Sequence, residues 1–182
     1  MLIQEFNDSL RLARAAPVGD GRVDFLINRP SEGVHVPAVE LYMDVDKGIV
    51  GDRWAETAWL RLADGRPDPR VQVSLTNTSV MQCFAGAGPD GVFGCGDNIY
   101  TNLNITEYNL PVGTRLQMGG AVLEVSAIVN DGCGKFAQRF GAEAFKLVRR
   151  PENLSLRLRG IFCSIKVGGV VRVNDLICVK AS

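Results

Sequence analysis

The chain has very little histidine and no closely paired cysteines. His35 is the one histidine among the 182 residues. An HExxH zinc site needs two histidines and is therefore excluded, and a Ser-His-Asp triad would have to be built on His35. It lies in SEGVHVP among turn-forming residues, so we expect an ordinary loop histidine. The five cysteines, at positions 83, 95, 133, 163 and 178, are odd in number and include no CxxC pair. We therefore expect free thiols rather than a disulfide framework or a zinc ribbon.

Excess charge of either sign and long apolar runs are also absent. Lys and Arg together number 20, as do Asp and Glu, and the aromatic residues (7%) form no basic stacking platform for nucleic acid. No uncharged apolar run approaches the roughly 18 residues of a membrane helix. The first residues carry Glu5 and Asp8 where a signal peptide would be continuously apolar. We expect a cytoplasmic protein whose partners include neither nucleic acid nor membrane; its oligomeric state is left open.

What the chain does have is a series of short alternating apolar runs, typical of β-strands. They are VDFLINR, AVELYMDV, VQVSL, NIYTNLNI, TRLQM, AVLEVSAIV, GIFCSIKV and VVRVNDLICV. The pairs Gly119-Gly120 and Gly168-Gly169 predict tight antiparallel hairpins. Helical patterns cover residues 77–85 and 135–148, the second interrupted at Gly141. The sequence predicts a mainly β fold, a mostly antiparallel β-barrel with a few short helices. We expect an N-terminal helical arm over residues 1–21 and a barrel domain over residues 22–179.

One apparent motif carries no weight. Residues 86–91, GAGPDG, match G-x-G-x-x-G, but Pro89 and the following VFGCGD do not open a helix after a strand. The context of a dinucleotide-binding turn is therefore missing, and we do not expect dinucleotide binding.

Cys133 has surroundings unlike those of the other cysteines. In NDGCGKFAQRFG it lies between Gly132 and Gly134, ahead of a predicted helix and two residues before Lys135. Flanking glycines allow a ligand to approach the backbone, and a nearby cation favours a thiolate, although Asp131 opposes it. We expect a reactive or metal-ligating sulfur here, with a structural thiol as the alternative.

The other four cysteines are interpreted as structural. Cys163 and Cys178 lie in predicted strands and Cys83 on a predicted helix, where buried thiols are common. Cys95 lies in a loop and could be exposed, but its neighbour Asp97 disfavours a thiolate.

Six fragments in one order resemble the MOSC family, the C-terminal domain type of molybdenum cofactor sulfurases, which also occurs as small stand-alone proteins. They are GIVGDRW, VQVSL, GDNIYTNLNI, LPVGTRLQMGGAVLEVSA, GCGKFAQRFG and LRGIFCSIKVGGVVRVND, within about residues 22–179. The resemblance implies a strand-rich, barrel-like fold. It implies either binding of the molybdenum cofactor or transfer of sulfur carried as a persulfide on the family's signature cysteine, here Cys133.

The resemblance also implies candidate residues for binding the cofactor's phosphate. The cations are Arg53, Lys135, Arg139 and Arg159, each with a surface salt bridge as the alternative. Asp52 is a further candidate, with a turn cap as its alternative. Asn98 lies on a polar strand face that either meets solvent or lines the pocket.

Three departures from the family leave the activity open. Members often have histidine shortly before the cysteine or in place of Trp54, where this chain has Asn130-Asp131 and Trp54 itself. The chain also lacks the aminotransferase-like domain of full-length sulfurases, so a separate sulfur donor or redox protein would be needed. Pyridoxal phosphate remains a family association only, since no Schiff-base lysine is identifiable. The chain is either a sulfur transferase or molybdenum-dependent oxidoreductase, or a non-catalytic module that holds or delivers a cofactor or small anion.

Overall fold

The structure, a computed structural model, describes residues 3–85, 91 and 94–180. Its α-helices are α1 (Ile3–Ala15), α2 (Trp54–Thr57), α3 (Thr78–Ala85), α4 (Gly134–Phe140), α5 (Ala142–Val148) and α6 (Pro151–Leu154), and Pro69–Val71 is a 3₁₀-helix. Its strands are β1 (Gly21–Asn28), β2 (Val36–Ala38), β3 (Glu40–Asp44), β4 (Gly48–Ile49), β5 (Val73–Asn77), β6 (Ile99–Thr101), β7 (Arg115–Met118), β8 (Ala121–Val125), β9 (Ile161–Val167), β10 (Gly169–Arg172) and β11 (Leu176–Lys180).

Seven of these described strands close into a barrel. Its order is β1-β11-β7-β8-β9-β5-β6 and back to β1, with β5 and β6 parallel and the other neighbours antiparallel. Strand β2 pairs with the last residues of β1, beyond those that pair with β11, and β10, β3 and β4 form a second, smaller sheet. The predicted mainly β fold, a mostly antiparallel barrel with a few short helices, is confirmed. Closure leaves the barrel strands without free edges, which explains why such short strands suffice.

The barrel core follows from the alternation of the strand sequences. In β8, Ala121, Leu123 and Val125 point inward, whereas Val122 and Glu124 are half-buried on the outer side. The same side of β7 contributes Leu116 and Met118 to one apolar cluster. Full burial of such a side chain stabilises the fold by about 1.5–3 kcal/mol, so register is strongly fixed.

A second apolar cluster lies where helices cover the barrel. Phe6 and Ala13 of α1 pack with Val80, Met81 and Phe84 of α3. Helix α1 ends at Ala15 and β1 begins at Gly21.

The predicted division of the chain into an N-terminal arm and a barrel domain stays a prediction. Most of the GAGPDG segment lies outside the described residues. Within the described residues, no helix is both long enough and apolar enough to cross a membrane.

The two Gly-Gly pairs behave differently. Gly119-Gly120 joins the antiparallel strands β7 and β8, as predicted. The hairpin predicted at Gly168-Gly169 is wrong, because β10 leaves the barrel there and pairs with β3 of the second sheet. Glycine is required at both positions because other backbone segments pass close by. A Cβ on Gly169 would lie 2.5 Å from the carbonyl carbon of Gly120, and one on Gly168 would lie 2.8 Å from the carbonyl oxygen of Met43.

We predict that Gly169→Ala destabilises the protein by about 1–3 kcal/mol, because the new methyl group overlaps backbone that cannot rotate away. The matched control is Gly134→Ala, where a Cβ has open space. Urea denaturation monitored by circular dichroism measures both. Equal stability of Gly169→Ala and the wild type would show that the two sheets cross less tightly than described.

Candidate functional site

A cavity of about 380 Å³ opens where β1 and β8 end and β6 and β9 begin. Its volume is within the range of about 300–1,000 Å³ that is usual for small-molecule sites. Five of the seven candidate site residues named from the sequence line it: Arg53, Cys133, Lys135, Arg139 and Arg159. They come from segments up to about a hundred residues apart, so the barrel itself brings them together.

Cys133 differs from the other cysteines in exposure. It directly precedes α4, has an extended backbone and is exposed at the cavity. Cys95 and Cys163 are buried, and burial raises the pKa of each thiol to about 12. Cys83 and Cys178 are half-buried rather than fully buried as expected. For Cys178 the cause is the alternation of β11, whose Ile177 takes the inward position.

Two cations of the cavity have no ion-pair or hydrogen-bond partner among the described residues, although the charge of Arg53 helps to lower the pKa of Glu32. Arg53 is half-buried and Arg139 is exposed, and neither guanidinium forms an ion pair or hydrogen bond within residues 3–85, 91 and 94–180. Lys135 pairs with Glu32 across the surface, and both side chains are largely exposed, so this contact is weak and screened. The cavity thus presents positive charge that the described part of the chain does not neutralise.

Arg159 is held by a buried carboxylate rather than by a surface salt bridge. Its Nη1 lies 2.6 Å from Oδ2 of Asp97, and the two side chains are 11% and 1% exposed. Its Nη2 donates to the carbonyl oxygen of Cys95 at 3.3 Å, and its guanidinium lies over the ring of Phe136. The Nε of Arg159 and Oδ1 of Asp97 are buried and find no hydrogen-bond partner among the described residues. This pair is a fixed wall of the cavity.

Asp52 and Asn98 lie behind the cavity wall. The fully buried side chain of Asp52 accepts hydrogen bonds from Nε and Nη2 of Arg29 at 2.8 and 3.1 Å, and from the Asn98 amide at 2.9 Å. Asn98 itself is 0% exposed, and its side-chain oxygen accepts from the Ser74 amide at 3.1 Å. Asn98 therefore occupies neither of the two positions expected for it: it does not meet solvent, and neither it nor Asp52 lines the cavity. They position Arg29 instead.

Arg29 is a cavity residue that the sequence reasoning missed. Held by Asp52, it also donates to the carbonyl oxygen of Gly96 at 3.1 Å and to the Ser74 hydroxyl at 3.3 Å. The available signal was a lone arginine directly after the apolar run VDFLIN. A charge at the end of a buried strand needs a partner, and here that partner is Asp52.

His35 was expected to be an ordinary loop histidine, but it lines the cavity. Its Nε2 lies 3.0 Å from where a Gly96 Cβ would be, so the glycine permits this packing. Burial lowers the pKa of His35, as do Arg139, Arg29 and Arg53, whereas Asp97 opposes them. The imidazole is therefore neutral at pH 7 and offers one donor and one acceptor.

The residues that replace the family's histidines have structural contacts. Asn130 and Asp131 line the cavity; the Asn130 amide donates to the carbonyl oxygen of Arg159 at 3.3 Å, and Asp131 pairs with Arg149 at 3.0 Å. Trp54 is buried against Gly48 and does not line the cavity. Among the described residues, no group of three or more His, Cys, Asp or Glu side chains could hold a metal ion.

The structure is thus a closed, mainly antiparallel β-barrel with a cationic cavity at one end and an exposed thiol at the cavity wall. The model of the MOSC domain family matches residues 69–177, more than half of the chain, and the chain belongs to this family. The match includes Cys133, Lys135, Arg139 and Arg159. Arg29, His35 and Arg53 precede it. The family is associated with the molybdenum cofactor.

Solved structures show the same fold at low sequence identity. YuaD from Bacillus subtilis is 19% identical, with a TM-score of 0.64 over 92% of this chain and 99% of that one. YiiM from Escherichia coli is 17% identical, with a TM-score of 0.58 over 88% of this chain and 70% of that one. At such identities the likeness shows the fold alone. No curated protein sequence matches this chain.

We predict that Asp52→Ala costs about 3–5 kcal/mol of the free energy of unfolding, because Arg29 would keep a buried charge without its carboxylate. Asp64→Ala is the matched control, since its ion pair with Arg66 is exposed and should contribute little. Urea denaturation of both variants measures the difference. Similar losses in the two variants would contradict a structural role for the Asp52–Arg29 pair.

We predict that His35 makes the folded protein less stable in acid. Because folding lowers the pKa of His35, the unfolded chain binds its proton first as pH falls below 6.5. The folded state has its full stability above the unfolded-state pKa of 6.5 and loses part of it as pH falls toward the lower pKa that His35 has in the folded state. His35→Gln should remove this loss, so its free energy of unfolding should fall less than the wild type's between about pH 7.5 and about pH 5.5. Parallel pH profiles would overturn the prediction.

Proposed function

We propose that this MOSC protein binds an anionic cofactor, the molybdenum cofactor, in the barrel-end cavity, with Cys133 as the protein's sulfur ligand or as a persulfide carrier. The observation that carries the proposal is the exposed thiol of Cys133 in a cavity that Arg53 and Arg139 also line, neither guanidinium having an ion-pair or hydrogen-bond partner among the described residues. Soft thiolate suits molybdenum and sulfane sulfur alike, and unpaired guanidinium groups suit a phosphate.

The donors of the cavity fit this cofactor on chemical grounds. With no cluster of protein metal ligands in the described residues, a metal here would bring its other ligands with it, and Cys133 would add one sulfur. When bound, the molybdenum cofactor supplies a redox-active metal and its own sulfur ligands. Arg53 and Arg139 would take the negative charge, while Arg29 and Arg159, already paired, would shape the wall.

In the persulfide role, Cys133 would carry sulfur between proteins. Its thiolate would attack the outer sulfur of a donor persulfide, forming a new sulfur–sulfur bond as the donor thiolate leaves. A separate sulfur donor or redox protein is therefore part of the proposal, as is a reducing, cytoplasmic location in which thiols stay free. Pyridoxal phosphate is not part of it and stays a family association, because nothing singles out Lys135, the lysine that lines the cavity, as a Schiff-base residue.

The second candidate function is a non-catalytic module that holds or delivers a cofactor or small anion. The same two arginines, which have no ion-pair partner among the described residues, favour it, since they would bind an anion whether or not Cys133 reacts. Turnover separates the two candidates: a binding module releases its ligand unchanged.

We predict that Cys133→Ser, purified from a host able to make the molybdenum cofactor, loses about tenfold or more of the bound molybdenum or of the cyanide-labile sulfur, because serine removes the soft ligand at nearly constant volume. Metal analysis, cofactor fluorescence and cyanolysis make the measurement. In the folded wild type, Cys133 should also be the first cysteine alkylated at neutral pH.

The matched control is Cys178→Ser, on β11 outside the cavity lining, which should keep both contents. Loss of molybdenum points to the ligand role, and loss of cyanide-labile sulfur to the carrier role. A folded wild type that holds neither would contradict the proposal.

A further inference from the structure

Trp59 is a large apolar side chain left open at the cavity. The residue is 67% exposed although it lines the cavity beside Phe162, with 6.0 Å between the ring centroids and 50° between the ring planes. This single tilted contact leaves much of the indole surface uncovered. Folding normally removes apolar surface from water, so an exposed indole forgoes the stabilisation that its burial would give. Tryptophan is also enriched where proteins bind ligands and partners.

The chain around Trp59 holds the indole outward. Its neighbours Ala58 and Leu60 pack into a small apolar cluster with Trp54 and Val71 beneath it. The Leu60 carbonyl accepts from the Asp68 amide at 3.0 Å, and a β-bridge joins Arg61 to Pro67. The residues on both sides are therefore anchored, and Trp59 is presented in place rather than on a free loop.

The rest of the cavity offers the complementary chemistry. Arg53 and Arg139 carry positive charge without partners in the described part of the chain, whereas Trp59 and Phe162 offer flat apolar surface. A small inorganic anion would use the arginines and leave the aromatic pair uncovered. An uncharged ring would use the aromatic pair and leave the arginines unpaired. A ligand with both a flat ring and a negative charge uses both.

We propose that Trp59 is a specificity-determining residue that stacks against a flat conjugated ring of the ligand, while Arg53 and Arg139 bind that ligand's negative charge. This inference rests on the proposed function for its anion site and adds the class of ligand. The ring belongs either to the cofactor itself or to a second molecule bound beside it, and the experiment distinguishes these sources.

The test compares two probes of equal charge, phenyl phosphate and cyclohexyl phosphate, by isothermal titration calorimetry. The wild type should bind phenyl phosphate about 3- to 10-fold more tightly, the range expected for one aromatic stack. Trp59→Leu should remove this preference and leave the affinity for cyclohexyl phosphate unchanged. Trp59→Phe should retain most of the preference, which a purely structural role would not predict.

Three further variants keep the result interpretable. Tyr108→Leu removes a more exposed aromatic ring away from the cavity lining and should keep the wild-type preference. Arg139→Gln should weaken both probes by a similar factor. Trp59→Gln gives a second, polar replacement should Trp59→Leu fold poorly.

The outcomes separate this inference from the proposed function. Equal affinity of the wild type for the two probes, or a preference that survives in Trp59→Leu and Trp59→Gln, overturns the role of Trp59 alone. Failure of both probes to bind the wild type overturns the anion site, and with it the proposed function.

The source of the ring follows from the same variants purified from a host that makes the cofactor. If Trp59→Leu holds less cofactor by fluorescence, the ring is the cofactor's. If the content is unchanged and the loaded wild type still prefers phenyl phosphate through Trp59, the ring is a second molecule's. If neither the content nor the preference depends on Trp59, the inference is wrong.

Discussion

The fully buried carboxylate of Asp52 is the constraint on which the candidate site depends. A buried charge must be paired and hydrogen-bonded, and Asp52 meets this need with Arg29 and Asn98. Arg29 then reaches the carbonyl oxygen of Gly96 and the hydroxyl of Ser74. One ion pair therefore joins the ends of β1 and β4 to the segment before β6, which are the segments that form this wall of the cavity.

The arginines of the cavity fall into two kinds, according to whether a buried carboxylate pairs with them. Arg29 and Arg159 each have a buried carboxylate partner, so their charges are already neutralised and their positions are fixed. Arg53 and Arg139 have none within the described residues, so the net positive charge of the cavity resides on them. A ligand that enters the cavity meets a rigid wall, in which Arg29 and Arg159 are already paired. It also meets the charges of Arg53 and Arg139, which are still available for binding. Such preorganisation lowers the cost of binding an anion.

What the sequence could predict depended on how local the determining interaction is. The barrel was predictable because alternation and the Gly119-Gly120 turn are local, whereas the reactive role of Cys133, argued from its own sequence neighbours, stays a prediction. The Gly168-Gly169 hairpin failed because those glycines serve a crossing with Gly120 and Met43, which are distant in sequence. Arg29, His35 and Trp59 were missed for the same reason, since only the closed barrel brings them to the cavity.

The two cysteines of the cavity show how the fold selects one sulfur among the described residues. Cys95 also lines the cavity, but its sulfur is buried and contacts the carbonyl oxygen of Gly91 at 3.7 Å. Burial, and after it the charge of Asp97, raises the pKa of Cys95 to about 12, so this thiol keeps its proton at neutral pH. A protonated, covered thiol is a poor ligand and a poor nucleophile. A soft ligand or sulfane sulfur that enters the cavity therefore meets one accessible sulfur, that of Cys133, and the neighbouring cysteine does not compete for it.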